Sequence, residues 1–188
     1  MPSTAQKQMT AEEFFVWQSR QDERYELVEG APVKMMAGAS KFHDRITSNI
    51  IITLGPQLRG GSCWVATPDT ATRTKINSLR RPDVTVTRTA PLLDSYGASD
   101  PKLIVEVLSP SNKGLTWQRK LDEYFRLKGL ANLLLIDSEK VAATLYTRTA
   151  AEWGPTDADD LEQVFDMPAI GCRLAMRAVY EGLKFEET

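Results

Sequence analysis

A single histidine and two cysteines are the whole supply of imidazole and thiolate metal ligands in this chain of 188 residues, which excludes a multi-histidine centre and any arrangement that needs two imidazoles. Cys63 and Cys172 form no C-x-x-C pair, so neither a zinc site nor a dithiol redox motif is suggested, and both read as buried free thiols. No apolar run approaches the ~20 residues that span a bilayer. The opening Met1-Pro2-Ser3-Thr4-Ala5-Gln6-Lys7 lacks the apolar stretch of a signal peptide. The expectation is a cytoplasmic protein with no membrane partner. A positive excess is missing too: 23 Lys and Arg stand against 25 Asp and Glu, and the formal net charge of -2 speaks against a protein that coats nucleic acid.

What is present fits an ordinary globular protein. With 42% hydrophobic and 26% charged residues the chain can fill one core. No internal repeat, low-complexity tract or linker divides it, so residues 1–188 are expected to form one domain, with residues 1–9 flexible. Cations crowd the middle, from Arg73 to Lys128, whereas Glu152, Asp157, Asp159, Asp160, Glu162 and Asp166 make the tail acidic. A basic middle suits a polyanionic substrate, and it equally suits a solvated surface.

Thr10 followed by Glu13 is a capping box that predicts a helix through Phe14, Phe15 and Trp17. Residues 25–30 and 32–36 predict two strands turning at Gly30-Ala31. Phe42, Ile46, Ile50, Leu54 and Leu58 recur at helical spacing until Gly60-Gly61 ends the pattern. Strands are predicted over 63–66, 71–75, 82–86 and 103–108. A helix over 115–130 follows, then strands over 133–136 and 141–146. The order predicts an α/β fold with a central mixed sheet.

In Arg81-Pro82-Asp83-Val84-Thr85-Val86, strand alternation sends Val84 and Val86 to one face and Asp83 and Thr85 to the other. Glu106 interrupts the apolar run Leu103 to Leu108, so its charge is partly desolvated and calls for a proton, an ion pair or a cation. Neighbouring strands lie ~4.8 Å apart, so if these two pair, the carboxylates can converge on one ion. Two hard oxygen ligands favour Mg2+ or Mn2+. On the following helix, Lys120 falls inside the apolar arc of Trp117, Leu121, Tyr124, Phe125 and Leu127, where it needs an anion nearby. Each residue alone has a plain structural reading: a strand-end carboxylate, half of an ion pair, a lysine whose stem covers apolar surface. Their combination points to a metal site with an adjacent lysine.

With these residues in place, the chain resembles the Uma-two family of restriction-endonuclease-like proteins, a branch of the PD-(D/E)xK nuclease superfamily. The likeness runs through Tyr25 to Gly30, the Ser40 to Leu54 helix, Arg81 to Val84, Glu106-Val107-Leu108-Ser109-Pro110-Ser111, and Lys120 with Tyr124 and Gly129. It implies a restriction-endonuclease-like core, a central mixed sheet flanked by helices, with a divalent metal at Asp83 and Glu106 and hydrolysis of DNA phosphodiesters. The superfamily lysine usually lies two residues after the second acid; Leu108 stands there, so the resemblance implies Lys120 in its place. It also implies Glu26 as a further acid at the site, and it lifts His43 from a core histidine to one that orients a carboxylate or touches a phosphate. On this reading the Val107 carbonyl completes the metal's inner shell, Arg73, Lys75, Arg80 and Lys113 hold the substrate backbone, and a two-fold homodimer matches the symmetry of duplex DNA. Thr116 stands where an acid is expected one turn before the lysine, and Leu133-Leu134 replaces an aromatic pair. A noncatalytic nucleic-acid-binding or interaction module on the same scaffold therefore stays open.

Overall fold

The computed structural model describes residues 8–35, 40–88, 97–98, 100–109, 115–150 and 152–185. Helix α1 (Ala11–Gln18) starts as the capping box predicts: the Glu13 amide donates to Thr10 Oγ1 at 3.1 Å and the Thr10 amide to Glu13 Oε2 at 2.9 Å. Met9, expected within a flexible start, donates its amide to the Gly30 carbonyl at 2.8 Å. Strands β1 (Tyr25–Val28) and β2 (Ala31–Lys34) form the predicted hairpin, but its turn falls on Glu29-Gly30, one residue early. Both turn residues have positive φ, 49° and 83°, which lets a two-residue turn follow the strand twist. Gly30 is doubly constrained, because a Cβ there would stand 2.7 Å from Gln8 Cβ.

Helix α2 (Lys41–Leu58) begins where Ser40 Oγ accepts the His43 amide at 3.2 Å, and it buries Ile46, Ile50, Leu54 and Leu58. After it come β3 (Trp64–Ala66), β4 (Ala71–Lys75), β5 (Ser78–Arg80), β6 (Val84–Thr87), β7 (Gly97–Ala98) and β8 (Pro101–Leu108). Helix α3 (Leu115–Phe125) leads to β9 (Asn132–Asp137), β10 (Ala143–Arg148), β11 (Trp153–Ala158), β12 (Val164–Met167), β13 (Cys172–Ala175) and α4 (Met176–Val179).

The strands form a six-stranded sheet in the order β11-β10-β9-β8-β6-β3, a five-stranded sheet in the order β2-β1-β5-β4-β7, and the β12-β13 hairpin. Both larger sheets are mixed: β8 runs parallel to β9 and β4 to β7, while their other pairs are antiparallel. Parallel neighbours require a crossover, and α3 supplies it between β8 and β9. One face of the large sheet, carrying Val84, Leu103, Val105 and Leu134, packs on α2, α4 and the β12-β13 hairpin. On the opposite face, Ile104, Leu133 and Leu135 pack on Tyr124 of α3. A satellite core seats Ala11 and Phe14 of α1 on Leu27, Ala71 and Leu79 of the smaller sheet.

Helix α3 ends at Phe125, five residues before the predicted boundary. Arg148 explains the stop, since its guanidinium takes the carbonyls of Phe125, Leu127 and Leu130 at 2.8 to 2.9 Å, acceptors that a longer helix would engage differently. Strand β5 was not predicted, because it is only three residues long and follows Asn77 directly. The elements beyond β10 also lacked a sequence signal. Strand β11, Trp153-Gly154-Pro155-Thr156-Asp157-Ala158, carries Gly, Pro and Asp and is tolerated as an edge strand paired only with β10.

Candidate active site

The β6–β8 register sets Val84 against Val105 and Val86 against Leu103. One residue beyond the last paired rung, Asp83 lies at the end of the ladder, near enough to Glu106 for its charge to act on that carboxyl. Asp83 precedes the strand rather than lying inside it. On β8 the carbonyls of Lys102 and Leu108 are taken on the β9 side, so the odd residues 103, 105 and 107 turn their backbone groups toward β6. The ladder stops at Val84, and beyond it the Val107 amide donates to Asp83 Oδ2 at 2.7 Å. The residue whose amide would meet the Val107 carbonyl is Pro82, which has no N–H to give. The Pro-Asp pair thus opens the end of the ladder toward the two carboxylates.

Glu106 is 4% exposed. Two donors meet the same oxygen of its carboxylate: Lys120 Nζ stands 2.8 Å from Oε1, and the Tyr124 hydroxyl donates to Oε1 at 2.6 Å. Burial pushes the Glu106 carboxyl up to about 7, against the pull of Lys120, and the nearby Asp83 charge adds to the rise. Lys120, whose inward placement the helical pattern predicted, also lies 3.4 Å from Glu26 Oε1. Burial works to lower its pKa, but Glu106 and Glu26 outweigh that and hold it as an ammonium.

Glu26 comes from β1 and is fixed on three sides. Beside Lys120, its Oε1 accepts the Arg81 amide at 3.0 Å and its Oε2 the Arg80 guanidinium at 3.0 Å. Desolvation opposes its ionisation, yet Lys120, the Arg81 amide and Arg80 together bring its pKa below the usual carboxylate value. His43, in the first turn of α2, lies with Nε2 3.2 Å from Asp83 Oδ1. Burial disfavours its imidazolium, while Asp83 and Glu106 favour it and win, so its pKa is raised. The structure thus gathers Asp83, Glu106, Lys120, Glu26 and His43 into one cluster.

The expected substrate-backbone residues fare differently. Arg80 is 2% exposed and locked to Glu123 and Glu26, so it is an internal cation; this corrects the expectation that it holds the substrate backbone. Arg73 lies at the surface against Glu12, 2.6 Å away. Lys75 is also accessible and pairs with Glu29 and Glu123 at 3.3 and 3.5 Å. Lys113 lies outside the described residues. Sequence reading missed Glu123, which takes the Arg80 guanidinium at both oxygens and a hydroxyl from Thr74. Its place one turn beyond Lys120 on the buried side of α3 was the available signal. Tyr124 enters that reading as an apolar residue of the helical arc and as part of the family likeness, with no role given to its hydroxyl.

Among the described residues no group of three or more His, Cys, Asp or Glu side chains is arranged to hold a metal ion. The donors at the ladder end are two carboxylates and the Val107 carbonyl. This all-oxygen set suits Mg2+, which is commonly held by one or two carboxylates with the remaining positions filled by water and phosphate oxygens. A buried carboxyl whose ionisation is opposed by burial and by a second carboxylate is also one that a divalent cation would stabilise. In donor chemistry, though not as an assembled cluster, these residues suit a hard divalent cation.

Among solved structures, the chain is similar to one from Anabaena variabilis described as a "putative nuclease belonging to DUF820", with a TM-score of 0.68 over 91% of this chain and 97% of that one. At 16% identity this likeness shows the fold alone. An uncharacterised protein of Synechocystis is 28% identical over 98% of this chain and 97% of its own length. The family model of Uma2, described as "Putative restriction endonuclease", matches residues 11–177, and the chain belongs to that family.

Proposed function

We propose that the chain is a nuclease that hydrolyses DNA phosphodiester bonds with the help of Mg2+ or Mn2+. The observation that carries this reading is the Asp83 carboxylate held at the end of the β6–β8 ladder by the amide of Val107, next to Glu106 in the chain, with the Lys120 ammonium 2.8 Å from Glu106. Asp83, Glu106 and the Val107 carbonyl would hold the ion. When bound, it supplies Lewis-acid polarisation of the phosphate and lowers the pKa of a coordinated water.

The chain's own groups do the rest. Lys120 keeps a fixed positive charge beside the carboxylates, where burial strengthens its attraction for the charge that develops on the phosphoryl oxygens. Glu26 keeps that ammonium from turning wholly to Glu106. His43 steadies one oxygen of Asp83 while the Val107 amide steadies the other. Arg73 and Lys75 are accessible cations available to a phosphate backbone. A two-fold dimer would present one such site to each strand of a duplex.

The same contacts favour a second reading. Both oxygens of Asp83 and one of Glu106 already have protein partners, which is what a closed structural cluster on a noncatalytic nucleic-acid-binding scaffold would show. Calorimetric titration with Mn2+ separates the two. The nuclease reading expects a binding event that Asp83→Asn removes; the structural reading expects none.

A further inference from the structure

Tyr124 belongs by its surroundings to the core. It is fully buried among Ile104, Leu130, Leu133 and Leu135, where a phenylalanine would fill the same space. What distinguishes it is the hydroxyl. A buried phenol needs a partner, and the partner here is Glu106 Oε1, 2.6 Å away.

Lys120 and Tyr124 sit one turn apart on α3, so a single helix face delivers two donors to a single oxygen. A carboxylate turns readily about its last side-chain torsion, which has a broad two-fold profile. Two donors on Oε1 remove that freedom, and neither of them lies on Oε2. Burial, together with the charges of Glu106 and Glu26, raises the Tyr124 pKa well above the usual phenol value, so the phenol keeps its proton.

We propose that Tyr124 is a positioning residue for Glu106: with Lys120 it holds Oε1, so that Oε2 is the oxygen offered to a divalent cation shared with Asp83. This rests on the metal-site reading given above. It predicts that the hydroxyl, and not only the ring, sets the affinity of the site for a metal, as partners that orient ligating carboxylates do elsewhere.

The test is a calorimetric titration of Mn2+ into the protein without DNA, comparing wild type, Tyr124→Phe and Glu106→Gln, with thermal melting alongside. Tyr124→Phe should fold and lose about 10-fold or more in Mn2+ affinity, the loss typical when a group orienting a metal ligand is removed. Placing 4-aminophenylalanine at 124, which returns an N–H donor, should restore most of it. A folded Tyr124→Phe protein that binds Mn2+ like wild type overturns the inference even where Glu106→Gln abolishes binding. Wild-type protein that binds no Mn2+, or Glu106→Gln that binds as wild type does, removes the metal-site reading instead. Should Tyr124→Phe fail to fold, NMR of the wild-type Tyr124 hydroxyl proton during a Mg2+ titration decides. The signal should shift and persist in the metal-bound protein, and its loss would mean that Glu106 leaves Tyr124 to reach the ion.

Discussion

The Arg80 guanidinium closes a two-point contact on the Glu123 carboxylate, Nε to Oε2 at 2.8 Å and Nη2 to Oε1 at 3.0 Å, with side chains only 2% and 3% exposed. The pair ties β5 to α3, and through Arg80 Nη1 it also fixes Glu26. Burial works against the Arg80 cation, but Glu123 and Glu26 more than compensate and raise its pKa. Glu123→Leu should therefore destabilise the fold by about 3 to 5 kcal/mol, because it leaves a buried arginine with half its partners. The double variant Arg80→Met/Glu123→Leu should recover most of that loss. Urea unfolding of the two single variants and the double variant measures the coupling, and additive losses would show that the pair is not a unit.

His43 gives the metal-free protein a pH-dependent contribution to stability. Its folded pKa is raised, so protonation favours the native state: the stabilisation is fully present below the unfolded value of about 6.5 and is lost as pH rises through the folded one. In a chelating buffer, wild-type stability minus that of His43→Gln should be larger at pH 5.5 than at pH 8.5. A difference that stays flat with pH would show that His43 is not charged against Asp83.

Pro82 keeps a donor away from the Val107 carbonyl. Pro82→Ala supplies an N–H at the next rung of the β6–β8 ladder, so the fold should persist with unchanged or higher melting temperature while Mn2+ affinity falls. Hydrogen exchange of the new amide checks the cause directly, since protection means that it has found an acceptor. An unprotected amide with wild-type Mn2+ affinity would leave the proline without this role.

Lys120→Met keeps most of the stem and removes the charge. As a group that stabilises charge only in the transition state, Lys120 should cost ~100-fold or more in cleavage rate when lost, comparable to removing one preorganised donor. Mn2+ affinity should hold or rise, because removing a cation 2.8 Å from Glu106 outweighs the loss of one of the two donors that hold its Oε1. Cleavage at the wild-type rate would return Lys120 to a surface-covering lysine.

Much of the site was legible because its signals were violations of pattern. Glu106 in an apolar strand and Lys120 in an apolar helical arc each demanded a partner, and the structure makes them partners of one another. The nearness of Asp83 to Glu106 followed once the two strands proved adjacent. Arg80 was misread because a three-residue strand ending in an arginine carries no sign of burial, and its partner Glu123 lies 43 residues further on. Tyr124 was hidden by its amphipathic character, apolar in the periodicity and polar in its contact. The strands after β10 escaped because edge strands and a short hairpin tolerate Gly, Pro and charge, so their composition resembles that of loops.

The central claim, a divalent-metal nuclease centred on Asp83 and Glu106, is tested most directly by incubating the purified protein with single-stranded, nicked and duplex DNA in Mg2+ or Mn2+, beside Asp83→Asn and Glu106→Gln. Both substitutions remove charge while keeping shape, so the folded variants isolate the chemistry. The account predicts cleavage of at least one DNA form by the wild type that a chelator stops and that each variant loses by ~100-fold or more. Cleavage that either folded variant performs at the wild-type rate would contradict it. So would wild-type protein that cuts no DNA form in either metal.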